Sequence, residues 1–224
     1  KIGTASYLAA MDVKQQMMDR AAKIWEIPVE EVEYQDGEFQ NKSDPELKTT
    51  FKDLAAKLNA TGGPITGRAN LNPGGAGSTI GVHIVDVEVD PETGKVDILR
   101  YTALQDAGKA IHPSYVEGQV QGGAVQGIGW ALNEEYLFNE DGSQDNAGFL
   151  DYRIPVASDV PMIDTEIIEV PSDTHPYGVR GVGETPIVAP LAAVGNAVSR
   201  ALGFRLTDLP LSPPKVLDAC DSRT

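Results

Sequence analysis

Basic residues are scarce in this sequence, and cysteine is almost absent. The 18 lysines and arginines face 33 aspartates and glutamates, a formal net charge of -15 over 224 residues. Phosphate backbones and anionic bilayers are held by basic footprints, so this balance argues against nucleic acid and membrane-surface partners. Cys220 is the single cysteine. It excludes an internal disulfide framework, a CxxC zinc site and a cysteine-held iron–sulfur cluster within this chain. His83, His112 and His175 stand far apart without HxH or HxxxH spacing, so no protein-ligated metal is expected. No apolar run approaches a membrane span and no segment is built like a signal peptide. A cytoplasmic location is therefore expected. The sequence opens on Lys1 rather than Met and enters a helical pattern at once, which reads as a processed product or a piece of something longer.

What is present organises into short elements. Ala10, Val13, Met17, Met18, Ala21, Ile24 and Trp25 recur at helical spacing and predict an amphipathic helix near 6–25, its methionines filling core. Residues 32–40, split by Asp36-Gly37, read as a hairpin, and 50–60 as a second helix capped by Thr50. The segment 61–79 is glycine-rich but lacks the GK[ST] ending of a phosphate loop, so it reads as irregular connection. Residues 80–89 and 96–105 read as strands joined by a turn at 90–94, and 162–170 as another strand. Residues 186–203 predict a helix closed by Gly203, and the proline-rich tail an extended arm. The sum is an α+β fold with mixed or antiparallel strands and packed helices. Its expected parts are 1–79 (helix, hairpin, helix and linker) and 80–224 (the strand pair, a glycine-rich helix, a GVGE loop and the last helix).

Two segments carry chemistry. VEGQVQGGAVQGIGWAL, residues 116–132, is helical in pattern yet holds Gly118, Gly122, Gly123, Gly127 and Gly129. Each interior glycine costs a helix about 1 kcal/mol relative to alanine, so bare backbone must serve something. Gln119, Gly122, Gly123 and Gln126 follow i, i+3, i+4, i+7 spacing and share a face. Ala124, Val125, Ile128 and Leu132 lie opposite and suit a core. A face of two amides separated by naked backbone fits a planar polar ligand; a close helix crossing with solvated glutamines fits it equally well. The second segment, GVRGVGETP at 178–186, sets Glu184 among glycines at the threshold of a helix. A carboxylate there suits helix capping, or an acid or base aimed at a bound group.

These segments together resemble a known family. QDAGKAIHPSYVEGQVQGGAVQGIGWALNEE is similar to the DxGxxINPxxVxGQxxGGxxQGIGxALxEE segment of the molybdenum hydroxylases, the xanthine dehydrogenase/aldehyde oxidase family. FLDYRIPVASDVP resembles its (Y/F)xxPxxxDxP segment, and YGVRGVGETPIVAPLAAVGNAVSRALG its GxKGVGExxxxxxxxAVxNAVxDAL segment. GTASYLAAMDV is similar, in degenerate form, to its GSRxTYxxGxAV segment. The resemblance runs almost end to end but covers only the C-terminal part of the family's molybdopterin-binding large subunit.

That resemblance implies a role for each matching position. Glu184 matches the family's catalytic glutamate, the general base beside the molybdenum in a hydroxylation whose oxygen comes from water. Gln119 matches the glutamine that hydrogen-bonds the cofactor near the metal, with Gln126, Gly122 and Gly123 its neighbours along the pterin. Gly181, Val182 and Gly183 supply backbone at the metal, and Thr4 and Ser6 are candidates for the pterin's phosphate end. The metal is held through a molybdenum–molybdopterin cofactor, expected in its cytosine dinucleotide form. The expected substrate is a small molecule, oxidised at an aldehyde or N-heterocycle-type carbon. The expected partners are the rest of the molybdopterin subunit, a [2Fe-2S] subunit and an FAD subunit, and the chain alone is expected to be inactive. Three departures stand out: Ala5 replaces a frequent Arg, His112 a frequent Asn, and Arg180 a frequent Lys that could serve a charged substrate or a surface salt link. The alternative in another class is a non-catalytic assembly module of the same fold. A hydrolase using Asp106 or the Glu134-Glu135 pair, which reads as a solvated helix end, is a third.

Overall fold

Met17, Ala21 and Ala22 recur one helical turn apart, and they are the buried face of α1 (Ile2–Trp25) in a computed structural model. The structure describes residues 1–72, 74 and 77–223. Pro73, Gly75 and Ala76 of the expected glycine-rich connection lie outside the described residues, as does Thr224. The chain forms two compact units, Lys1–Ala76 and Gly77–Thr224, each with its own core.

In the first unit α1 begins earlier than the apolar spacing predicts and ends on Glu26 in a left-handed conformation. Strands β1 (Val32–Gln35) and β2 (Glu38–Asn41) pair antiparallel across Asp36-Gly37. Both turn residues have positive φ, 50° and 87°, as a tight hairpin turn demands. Strand β3 (Lys48–Thr50) adds to the other edge of β2. The helix expected over 50–60 is two pieces, α2 (Phe51–Ala56) and α3 (Leu58–Thr61). Thr50 caps α2: its hydroxyl accepts from the Asp53 N–H at 3.0 Å and donates to the Asp53 carboxylate at 2.8 Å. Phe39 and Leu54 close the core against α1.

The second unit is a three-stranded sheet with its helices packed on one face. Strands β4 (Gly81–Val89) and β5 (Val96–Asp106) form an antiparallel hairpin with a bulge near Asp86, and β6 (Ile163–Ile168) lies parallel to β5. Parallel neighbours need a crossover, and α4 (Pro113–Leu132) supplies it. Along β4 the period of two turns His83, Val85, Val87 and Val89 inward and leaves Val82, Ile84, Asp86 and Glu88 exposed. Val120, Ala124, Ile128 and Leu132 of α4 meet Tyr101, Ala103 and Ile163 of the sheet. Val194 and Val198 of α5 (Val188–Leu202) complete the layer, and Gly203 ends α5 at φ 79°.

The tail corrects an expectation. Residues 213–221 are not an extended arm but helix α6 (Pro213–Asp221), which buries Val216. Its prolines occupy the first turn, where a missing N–H and a fixed φ are compatible with a helix. The Glu134-Glu135 pair is also not merely a solvated end: Tyr152 donates to Glu134 at 2.8 Å, and Lys215 binds Glu135 at 3.0 Å.

The glycines of α4 divide sharply by face. A Cβ on Gly127 would stand 2.6 Å from Pro190 Cβ and 3.0 Å from the Ile187 carbonyl, and one on Gly123 would stand 2.9 Å from Pro186 Cβ. These neighbours are rings and backbone, which cannot swing aside. A Cβ on Gly118 or Gly122 would meet nothing within 4 Å. Gly127→Ala is therefore expected to destabilise the unit by about 1–3 kcal/mol through overpacking. Gly122→Ala is expected to be neutral or stabilising by up to about 1 kcal/mol, the propensity difference between the two residues. Denaturant unfolding of both variants checks the contrast; equal effects would contradict it.

His83 supplies a pH dependence. Its Nδ1 hydrogen-bonds the Tyr101 hydroxyl at 2.7 Å, while Nε2 is buried without a partner. Burial pushes the ring pKa below 6.5, because a charged imidazolium there loses much of its hydration. The unfolded chain then takes the proton first as pH falls. The stability from His83 is complete above about 6.5 and is lost as pH falls toward the lower folded value. Between pH 6.5 and about 5, above the main carboxylate range, the melting temperature is expected to drop. His83→Gln, which does not titrate, should flatten that drop.

Candidate active site

The GVGE loop is pinned at both ends. On its N-terminal side residues 178–180 run antiparallel to 107–109: Lys109 donates its N–H to the Gly178 carbonyl at 2.8 Å, and Arg180 its N–H to the Ala107 carbonyl at 3.0 Å. On its C-terminal side a 3-10 turn, Thr185–Ile187, drops Pro186 into the core beside Gly123. Between these anchors Val182 packs on the core, while Gly181 and Gly183 are exposed.

Glu184 stands at the start of the 3-10 turn, and its carbonyl accepts from the Ile187 N–H at 3.2 Å. Its side chain makes no cap hydrogen bond, and it is exposed. Among the described residues none hydrogen-bonds this carboxylate. Capping is thus done by the backbone, and the side chain is left over for something else.

Beside the loop runs the exposed face of α4. Gln119, Gly122 and Gln126 lie on it with Gly118, and it is framed by Tyr115 toward the N-terminus and Trp130 toward the C-terminus. Gln119 Oε1 lies 3.6 Å from where a Gly183 Cβ would stand. The structure therefore brings Gln119, Gly183 and Glu184 into one neighbourhood. Gly123 belongs to the opposite side: it is buried in the seam with Pro186, so it serves the approach of loop to helix. Thr4 and Ser6 lie on the first turns of α1, in the other unit.

Arg180 is not a surface salt link. Its side chain is 18% exposed and is paired with Asp106 at 3.2 Å. His112 precedes α4 and stacks on Tyr115 with ring centroids 3.9 Å apart. Tyr115 is a part of this region that the sequence did not single out; Gly118 was counted among the helix glycines without a face, and Asp106 was weighed only as a hydrolase acid. Tyr115 and Gly118 were legible, since each stands four residues before Gln119 or Gly122. The role of Asp106 was not, since its partner is 74 positions away, at Arg180. Among the described residues no group of three or more His, Cys, Asp or Glu could hold a metal ion, and no helix is long and apolar enough to cross a membrane.

This arrangement suits a flat polar ligand. The open space at Gly118 and Gly122 admits one against the helix backbone, Gln119 and Gln126 offer amide donors and acceptors, and Glu184 supplies an unengaged carboxylate at one end. A pterin ring, edged with amide-like groups, has the shape and hydrogen-bonding character of such a ligand.

The sequence model of the molybdopterin cofactor-binding domain matches residues 2–161. The chain is 34% identical to the 6-hydroxypseudooxynicotine dehydrogenase complex subunit gamma of Paenarthrobacter nicotinovorans, over 97% of this chain and 29% of that protein. It is 32% identical to the carbon monoxide dehydrogenase large chain of Afipia carboxidovorans, over 90% of this chain and 26% of that protein. Among solved structures, the Cu,Mo-CO dehydrogenase in its carbon monoxide reduced state matches with a TM-score of 0.83 at 29% identity, covering 99% of this chain and 29% of that one. Quinoline 2-oxidoreductase from Pseudomonas putida 86 matches with a TM-score of 0.78 at 28% identity, covering 95% of this chain and 28% of that one. The chain thus spans less than a third of the length of these relatives. With the family model covering most of the chain and a relative 34% identical over 97% of it, the chain belongs to the molybdopterin cofactor-binding domains of the molybdenum hydroxylase family.

Proposed function

We propose that this chain forms the C-terminal portion of the catalytic subunit of a molybdenum hydroxylase, with Glu184 as the general base. The observation that carries the reading is the Glu184 carboxylate, exposed and free of hydrogen bonds on a loop pinned at both ends beside Gln119. A base must have a free lone pair within reach of the reacting group and a fixed origin, and Glu184 has both beside the Gln119 face. When bound, the molybdenum–molybdopterin cofactor supplies a two-electron redox centre and delivers water-derived oxygen to carbon. Glu184 accepts the proton released in that delivery on a carboxylate oxygen. Gln119 holds the cofactor by its side-chain amide near the metal, and Gln126 does so further along α4. Gly122 keeps the helix surface flat beneath it, Gly123 draws the loop against the helix, and Gly181, Val182 and Gly183 present backbone. Thr4 and Ser6 are assigned to the phosphate end of the pterin.

The substrate belongs to the aldehyde or N-heterocycle class, in keeping with relatives named as a nicotine 6-hydroxylase large subunit and an aldehyde oxidoreductase. The cofactor is assigned the cytosine dinucleotide form, and the chain a cytoplasmic location. Electrons are assigned an exit to a [2Fe-2S] subunit and an FAD subunit, because the single cysteine of these residues cannot ligate a cluster by itself. The remainder of the large subunit supplies the other side of the cofactor cleft.

In the complete enzyme, Glu184→Gln is expected to lower kcat at least about a hundredfold, the scale of a lost general base, with molybdenum content unchanged. Retained turnover would remove Glu184 from the mechanism. The chain expressed by itself is expected to bind far less than one molybdenum per molecule and to show no turnover. Metal analysis of the purified chain is the check, and stoichiometric molybdenum would overturn the two-sided cleft.

A further inference from the structure

We infer that Asp106 and Arg180 form a positioning pair that fixes where the Glu184 loop departs from the fold. This rests on the reading of Glu184 as the base, and it gives a role to two residues that reading leaves unused. Asp106 ends β5 and is 7% exposed. Its Oδ1 accepts from the N–H groups of Gly108 at 2.9 Å and Val170 at 3.3 Å, and its Oδ2 faces Arg180 Nε at 3.2 Å. Arg180 donates from Nε to the Val170 carbonyl at 3.0 Å and from Nη1 to the Ser78 carbonyl at 3.0 Å. One side chain therefore ties its own segment to the start of β4, the end of β5 and the end of β6. Lys109 and Glu169, 2.7 Å apart, brace the same junction from its exposed side, and Glu169 also accepts from the Ala110 N–H at 2.7 Å.

The physical case is one of alternatives removed. Separating a largely buried ion pair leaves a charge without a partner, which costs far more than the pair contributes. The planar guanidinium fork also satisfies its acceptors in only one orientation. Arg180 is thus held in a single arrangement, and the chain leaves it in a single direction. Gly181 and Gly183 have no side chain to pack, and Val182 between them meets the core only beyond the point where the loop departs. The far anchor, Pro186 in the α4 seam, restrains only the other end. With its Nε and Nη1 engaged inward, Arg180 keeps only Nη2 for any other contact.

The test uses the intact enzyme assembly. Asp106→Asn keeps an oxygen for the Gly108 and Val170 N–H groups and removes only the charge, Arg180→Ala removes the fork, and Arg180→Lys keeps the charge. Asp106→Asn and Arg180→Ala are expected to lower kcat roughly ten- to a hundredfold, the scale for a misplaced catalytic group. KM should stay within about twofold and molybdenum content should not change. Arg180→Lys, which keeps the charge opposite Asp106 without the fork, should fall between Arg180→Ala and the unaltered enzyme. In the same two variants, hydrogen exchange at the Lys109 and Arg180 amides should rise at least about tenfold, while α4 and α5 amides keep their rates. If Arg180→Ala does not fold, Asp106→Asn carries the test. A raised KM at constant kcat would reassign Arg180 to substrate contact, and unchanged kcat, or an exchange increase spread over the whole unit, would overturn the inference. Full activity in Glu184→Gln would instead sink the base assignment alone. The amide exchange would still decide whether the pair anchors the loop.

Discussion

The close approach of α4 to the segment that follows Glu184 is the constraint on which the rest of the second unit depends. Gly123 and Gly127 leave no room for a Cβ against Pro186 and Pro190, so the two backbones meet directly. Interiors are packed as tightly as organic crystals, and such a contact has one solution rather than a range of them. It brings the GVGE loop to the first half of α4, beside Gln119. The positions of Gly183 and Glu184 relative to Gln119 follow from this contact.

One helix therefore does two jobs with one residue type. Of the three buried glycines, 123 and 127 let the helix backbone meet Pro186 and Pro190, and 129 sits against Glu134 and Pro155. The exposed ones, 118 and 122, leave the opposite face bare, where the proposed flat ligand would lie. Reading the segment from spacing left a choice between a helix crossing and a ligand face. The structure puts 123, 127 and 129 in packed crossings and leaves 118 and 122 open, because a helix has two sides. The propensity penalty of five glycines in 20 residues is met by burial of Val120, Ala124, Ile128 and Leu132, in line with tertiary packing as the main source of helix stability in proteins.

Much of the fold was legible because its signals are local. The hairpin at Asp36-Gly37, the Thr50 cap, the β4–β5 turn and the Gly203 stop each depend on two to four adjacent residues. What escaped depended on position within an element or on distant partners. Pro213 and Pro214 read as extended until the first turn of a helix claimed them. The 50–60 helix broke after Ala56, with Lys57 between its pieces. The parallel pairing of β6 with β5 has no local marker, since it is made across the whole of α4.

The sequence by itself determined the α+β class, the chemistry of the candidate groups and the membership of a molybdopterin-binding family, because residue types and their spacing carry those directly. It also set Glu184 on bare backbone, a property of three glycines and nothing more. Only the tertiary structure decided which face of α4 is open, that the Glu184 side chain caps nothing, and that Arg180 turns inward to Asp106. These are matters of which distant segments touch. A side chain's partner 74 positions away is set by the packing of sheet, helix and loop together, and no pattern read along the chain contains it.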